Sequence, residues 1–398
     1  MQSPLVIVGA GLGGLRAAER LRAAGWEGAI VIYGTEPHLP YNRPPLSKEA
    51  LATGISHERL AYRRRPAIED VQWRLEQTVE SVDLDEHAVT LEDGTRQAYV
   101  GLVAATGVRP RRLPLDAPLE WRQTLRTIDD GIALRERLTE GGRLVLIGAG
   151  FVGSEVAATA RGHGCDVHVV DPLPEPMTRA IGEMVGGELR RRHESHGVTF
   201  HLGRSVAAIE GDTAPRTVHL DDGQQLTADI VVEAVGSIPN VEWLDGNGLD
   251  LTNGVACDEW LRPLRADAPI PDVAAVGDIV RYVNPRFGGP PHRVEHWAMP
   301  TETAKPAAFA LMAHLTGQPI DEEPFAPLPT FWSDQYDIRL QSFGLPELGL
   351  DDVRVLEGDL SDETAVGYHR DGQLVGVLML GLSLRMKHYR TLLLEQLP

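Results

Sequence analysis

The chain has 398 residues and a formal charge of −19, from 38 basic and 57 acidic side chains. That length predicts two or three domains, and the acidic balance argues against nucleic acid as a partner. The longest apolar run near the end, LVGVLMLGLSL at 374–384, is too short to span a bilayer. MQSPL runs straight into an apolar strand and leaves no room for a signal peptide. The expectation is a soluble cytoplasmic protein with no membrane or nucleic-acid partner, a monomer or a homodimer.

In chain order, the first element is a strand at Leu5–Val8, followed by Gly9, Gly11 and Gly14 on G-x-G-x-x-G spacing. A stretch rich in Ala, Leu and Arg, starting at Leu12, predicts a helix. In such a unit the first glycine permits the tight turn, the second lets backbone approach a pyrophosphate, and the third lets helix pack on strand. The helix N-terminus then offers N–H groups and the positive end of a dipole to the phosphates. AVTLEDG at 88–94 alternates in polarity and predicts an antiparallel insert. LVAATGVRPRRLP at 102–114 ends a strand at Ala105, Thr106 and Gly107.

The same unit is then written again. After Leu144–Ile147 come Gly148, Gly150, Phe151, Val152 and Gly153, and a second strand closes on Asp171, 23 residues past Gly148. A carboxylate there can accept hydrogen bonds from ribose hydroxyls and repels a 2′-phosphate, which predicts a preference for NADH over NADPH. A single fingerprint is weak evidence; two in one chain, each between a strand and a helix, are strong. VVEAVGSIPN at 231–240, with Gly236, parallels LVAATGVRPR. IPDVAAVGDIV at 270–280 adds a strand with Gly277 and Asp278 at its carboxyl end, where open sheets bind ligands. From about 323 the pattern changes to short strands and turns.

Only two cysteines occur, Cys165 and Cys257, and they form no C-x-x-C pair. Both read as packing residues. The 14 histidines show no metal-ligand spacing, so no metal is expected. Electrons that are passed on must leave from a bound cofactor.

VIVGAGLGGLRAAERLR, EPHLPYNRPPLSK, ATGVRPRRLP, LRTIDDG, IGAGFVGSEVAA, AAVGDI, EHW and FWSDQYD occur in this order. The chain thereby resembles the FAD-dependent NADH:ferredoxin reductases that serve Rieske oxygenases and bacterial cytochromes P450. Rubredoxin reductases and apoptosis-inducing factor share the pattern. The resemblance implies an α/β fold: two Rossmann-like dinucleotide-binding domains, as in glutathione reductase, plus a C-terminal α+β domain. FAD would bind a discontinuous domain, 1–115 and 241–322; NADH would bind 116–240; the last domain would be 323–398.

The resemblance also implies roles. Gly9, Gly11, Leu12 and Gly14 face the FAD pyrophosphate, and Glu36 takes the ribose, with Thr35 where many relatives carry an acid. Arg43 and Lys48 lie beside the flavin, preceded by Asn42 where many relatives have Asp. Arg126 approaches FAD, Asp278 bonds the ribityl chain, and Ala105, Thr106, Gly107, Gly277, Glu295 and His296 join the cofactor-binding set. Gly148, Gly150, Phe151, Val152, Gly153, Asp171 and Gly236 belong to the NADH side. Glu155 pairs with Lys48 near flavin N5 and the nicotinamide. Trp297 precedes a helix start aimed at the flavin, with Met299 and Pro300 where relatives have Asn and Ala; proline at a first helical position is compatible with that geometry. Trp332 walls the nicotinamide pocket. Lys48, Glu155, Trp297 and Trp332 form the catalytic group.

The implied activity is hydride transfer from NADH to FAD, followed by delivery of single electrons to a [2Fe-2S] ferredoxin. NADH oxidase, rubredoxin reductase and an NADH-sensing flavoprotein that acts by binding are the alternatives. Two basic runs, Arg63, Arg64 and Arg65, and Arg385, Lys387 and Arg390, are candidates for docking an acidic ferredoxin.

Overall fold

A computed structural model describes residues 3–320 and 323–397. Met1, Gln2, Asp321, Glu322 and Pro398 lie outside the described residues, and with them the expected break at 322/323. The chain divides into two compact units: 1–42, 60–109 and 238–329 in one, 43–59, 110–237 and 330–398 in the other.

The first unit is organised by a five-stranded parallel sheet in the order Val273–Ala275, Gly101–Ala104, Leu5–Val8, Ile30–Gly34, Gln72–Leu75. Its three middle strands are buried at every residue. That is why they read as unbroken apolar runs rather than alternating ones: a parallel sheet is covered on both faces. Helix Leu12–Ala23 follows the central strand and packs against helix Met299–Thr316. The AVTLEDG segment lies in a three-stranded antiparallel sheet of Val79–Asp83, Ala88–Leu91 and Arg96–Ala98.

The second unit repeats the plan. Its parallel sheet runs Val198–Leu202, Asp166–Asp171, Arg143–Ile147, Ile230–Glu233, Arg122–Gln123. Along the central strand, Leu144 and Leu146 pack with Val156, Ala157 and Ala160 of helix Phe151–Gly162. Val145 and Ile147 point the other way, into Val218, Leu220 and Leu226 of a small antiparallel sheet. The two-residue period of a strand thus feeds two separate cores.

The last segment of this unit forms a five-stranded antiparallel sheet, Thr330–Gln335, Ile338–Gly344, Gln373–Leu380, Thr364–Arg370, Val353–Gly358, with helix Met386–Gln396 against it. Most of the late apolar run is the buried middle strand of that sheet. Among the described residues no helix is long and apolar enough to cross a membrane.

Candidate nucleotide-binding and redox residues

Both glycine fingerprints form strand-turn-helix units with the same internal geometry. Gly9 has φ +119°, and a β-carbon there would lie 2.1 Å from the Ala105 carbonyl oxygen; Gly148 has φ +107°, and its β-carbon would lie 2.3 Å from that of Ala234. A β-carbon on Gly14 or Gly153 would stand 2.0 or 2.1 Å from the carbonyl oxygen of the first glycine. The middle glycines differ in kind. On Gly11 and Gly150 an added β-carbon meets nothing within 4 Å, so no protein atom requires glycine there. No side chain caps the first turn of helix Leu12–Ala23 or of helix Phe151–Gly162. An open cradle of backbone N–H groups at a helix start fits a pyrophosphate, and each unit has one. The likeness of LVAATG and VVEAVG acquires a cause: Ala105 and Ala234 are the walls behind the first glycines.

Around the first cradle, Glu36 accepts a hydrogen bond from the Tyr41 hydroxyl at 2.6 Å, and Thr35 is exposed. Thr106 donates to the Asn240 carbonyl while the Asn240 amide donates back to the Thr106 carbonyl at 3.1 Å, and Gly107 follows at φ +62°. Gly277 and Asp278 form a turn at the end of strand Val273–Ala275, where the Gly277 N–H donates to Thr303 Oγ1 at 2.9 Å. Trp297 is 41% exposed. Its indole N–H is shared between Asn42 Oδ1 at 2.9 Å and the Tyr62 hydroxyl at 3.0 Å, and that hydroxyl donates to the same Asn42 oxygen. One amide oxygen thus serves both donors. Helix Met299–Thr316 begins two residues later with Pro300 in its first turn and Met299 buried. Glu295 pairs with Arg293 at 2.6 Å, and burial pushes the pKa of His296 down to about 4.

In the second unit Asp171 is 8% exposed. One carboxylate oxygen accepts from the Ala149 N–H at 2.7 Å and the other from the Leu173 N–H at 2.8 Å, which clamps the glycine turn to the strand end. A carboxylate has about four lone-pair sites, so the clamp leaves acceptor capacity. Phe151 meets Phe331 edge-on at 4.8 Å, one position before half-buried Trp332, and Val152 is exposed. Gly236 turns with φ +98°, its carbonyl accepting from the Arg111 N–H. Arg43 donates to the Arg126 carbonyl at 2.7 Å. Just beyond, Thr127 and Asp130 form a reciprocal capping box on helix Ile128–Arg137, so the string LRTIDDG is in part a helix start.

Lys48 and Glu155 come together although far apart in the chain. Lys48 Nζ lies 2.7 Å from Glu155 Oε2, with the side chains 12% and 5% exposed. The Ser47 hydroxyl donates to the same oxygen at 2.5 Å, and the Ser333 hydroxyl donates to Oε1 at 2.6 Å. Thr159, one turn along the helix from Glu155, donates to the Ser47 carbonyl at 2.8 Å and pins the PPLSK segment to that helix. An ion pair this buried persists because its remaining valences are met by hydrogen bonds. Sequence reasoning misses Ser47 and Ser333, although both stand inside the strings PPLSK and FWSDQYD that carry the resemblance.

Both thiols are buried, and burial pushes their pKa values up. Neither is a nucleophile in waiting. Among the described residues no group of His, Cys, Asp and Glu could hold a metal ion.

Residues 3–304 match the family model described as pyridine nucleotide-disulphide oxidoreductase, and residues 330–398 match one described as reductase C-terminal. The chain is 38% identical to the anthranilate 1,2-dioxygenase system ferredoxin–NAD(+) reductase component of Burkholderia cepacia, over 95% of this chain and 91% of that one. It is 33% identical to putidaredoxin reductase of Pseudomonas putida, over 99% and 92%. Among solved structures, a covalent putidaredoxin reductase–putidaredoxin complex matches with TM-score 0.90 at 32% identity, covering 100% of this chain and 94% of that one. With two open glycine turns at helix starts, a buried Lys–Glu pair and no accessible thiol, the chain belongs to the pyridine nucleotide-disulphide oxidoreductase family and is an oxidoreductase of that family's ferredoxin reductase branch.

Proposed function

We propose that this protein takes hydride from NADH onto FAD and passes the electrons singly to a [2Fe-2S] ferredoxin that feeds an oxygenase or a cytochrome P450. The observation that carries this reading is the pair of fingerprints whose middle glycines are kept clear by no protein atom, in a chain whose only thiols are buried. Two dinucleotides are provided for, and a dithiol exit for electrons is not. Bound FAD supplies the conversion between two-electron uptake and one-electron delivery.

The chain's own residues hold and orient. Gly9, Gly11 and Gly14 take the pyrophosphate of FAD, Glu36 its ribose and Asp278 its ribityl chain. Gly148, Gly150 and Gly153 take that of NADH, with Asp171 at the ribose. Lys48 keeps a positive charge at the reacting end, Glu155 holds that ammonium in place, and Trp332 limits the space for the nicotinamide. The helix start after Trp297 would bring the positive end of a dipole to the flavin, its Met299, Thr301 and Glu302 N–H groups already donating to the His296 and Ala298 carbonyls. Unpaired thiols agree with a cytoplasmic setting.

Anaerobic mixing of the FAD-loaded protein with NADH or NADPH tests the nucleotide half of the proposal. Fast bleaching of the flavin by NADH and slow bleaching by NADPH is expected. Comparable efficiency with the two would overturn it.

A further inference from the structure

The Lys48–Glu155 pair is the inner end of a longer buried chain of hydrogen bonds. Ser333, which donates to Glu155, itself accepts from the Gln335 amide N–H at 3.2 Å. The Gln335 carbonyl accepts from His193 Nε2 at 2.8 Å, and the Tyr336 hydroxyl lies 3.4 Å from His193 Nδ1. Gln335 and His193 are each 1% exposed, and Ser333 is fully buried.

Every link runs the same way. Glu155 is acceptor only, so Ser333 must donate to it; Ser333 then accepts, which fixes the amide of Gln335 with its carbonyl toward His193. His193 is neutral, because burial pushes its pKa down to about 4. A neutral ring has one N–H, and Gln335 claims it at Nε2, which leaves Nδ1 to accept from Tyr336. The second N–H of Gln335 points to Met177 Sδ at 3.8 Å, and the Met177 N–H donates to the Ala149 carbonyl in the second glycine turn. Dipoles aligned head to tail strengthen one another in a dry interior.

The outer end is held under strain. Tyr336 has φ +54° in the two-residue turn between Thr330–Gln335 and Ile338–Gly344, a conformation unfavourable for an aromatic residue. Its ring stacks on His196 with centroids 3.7 Å apart, and the turn borders a cavity of about 210 Å³ lined also by Arg192 and Asp337.

The geometry points to His193 and Gln335 as positioning residues for Glu155: a one-way polar relay from Tyr336 fixes the carboxylate that in turn holds the Lys48 ammonium for hydride transfer. This rests on the reading that Lys48 and Glu155 act in that step. His193→Phe keeps a ring but removes the donor, Gln335→Met keeps length but removes both links, and His193→Gln restores an N–H toward Gln335.

The test measures flavin reduction by NADH in anaerobic stopped flow on FAD-loaded proteins, together with NADH affinity and FAD content. One lost hydrogen bond is worth roughly three- to tenfold. His193→Phe and Gln335→Met are expected to change the reduction rate by about that factor, with FAD content and NADH affinity near wild type, and His193→Gln is expected to recover most of it. Tyr336→Phe should give a smaller change of the same sign. Wild-type rates in His193→Phe and Gln335→Met, while Lys48→Ala and Glu155→Gln alter the rate, would overturn the relay alone. Wild-type rates in those two as well would overturn the reading beneath it. A rate loss in His193→Phe that His193→Gln fails to recover would also count against the relay.

Discussion

Removing the ammonium of Lys48 leaves Glu155 a buried carboxylate with two serine donors and no counter-ion, and an unpaired buried charge typically costs about 3–5 kcal/mol. Neither side chain belongs to the two glycine turns proposed to hold the pyrophosphates. Lys48→Ala and Glu155→Ala are therefore expected to purify yellow, with FAD bound, yet to show altered rates of reduction by NADH and altered long-wavelength absorbance of the reduced enzyme with NAD+. Stopped-flow spectra check this; wild-type rates and spectra in both would remove the pair from the reaction. His193 gives a stability prediction. It faces Gln335, Tyr336, His196 and Phe200, and its pKa lies near 4 in the folded protein against the ordinary 6.5 of the unfolded chain. Its neutral form contributes stability in full above 6.5, and that contribution is lost as pH falls from there through 4. Between pH 7 and pH 5 the loss is about 2 kcal/mol. The fall in apparent melting temperature over that interval should be smaller in His193→Phe than in the wild type, and equal falls would contradict the assignment.

At the scale of the element, the two cradles make a paired prediction. Gly11 and Gly150 have ordinary negative φ values, and an added β-carbon meets no protein atom, so Gly11→Val and Gly150→Val should fold. Gly11→Val should lose FAD, visible as colourless protein, whereas Gly150→Val should stay yellow and bind NADH at least tenfold more weakly. The reverse pattern would exchange the roles of the two units. Asp171→Ala should narrow the preference for NADH mainly by weakening NADH, part of the effect coming through the freed Ala149 and Leu173 N–H groups; steady-state kinetics with both nucleotides measure it.

The cradles were legible because their requirements are local: a positive φ, a close backbone approach and an apolar strand all leave marks at fixed spacing. The pairing of Lys48 with Glu155 was legible only through family resemblance. Ser333, 178 positions from Glu155, and Gln335, 142 positions from His193, leave no such mark, since a buried polar contact between distant elements has no period. The same holds for Arg122 and Glu233, which meet at 2.9 Å in the interior and tie an edge strand to its sheet. The charge of Asp171 points toward a ligand, while its bonds to the glycine turn depend on backbone placement that spacing alone does not specify.

Across the whole molecule, a charge of −19 repels an acidic partner, so docking of a ferredoxin depends on local exceptions. Arg63, Arg64 and Arg65 are exposed, and so are Arg385, Lys387 and Arg390 at the start of helix Met386–Gln396, where Arg385 is already engaged by Glu357 at 2.9 Å. Charge reversal of the two runs together should raise the ferredoxin KM several-fold and flatten its dependence on salt, leaving reduction by NADH unchanged; an unmoved KM and salt slope would clear both runs of the role. On the proposed function, electrons enter as hydride from NADH and leave one at a time through an iron–sulfur carrier. The most direct measurement is NADH-dependent reduction of cytochrome c with and without an added [2Fe-2S] ferredoxin. A slow rate is expected without the ferredoxin and a large, saturable increase with it. An equal rate in its absence, with NADH consumed against oxygen, would rule out a ferredoxin as the electron acceptor.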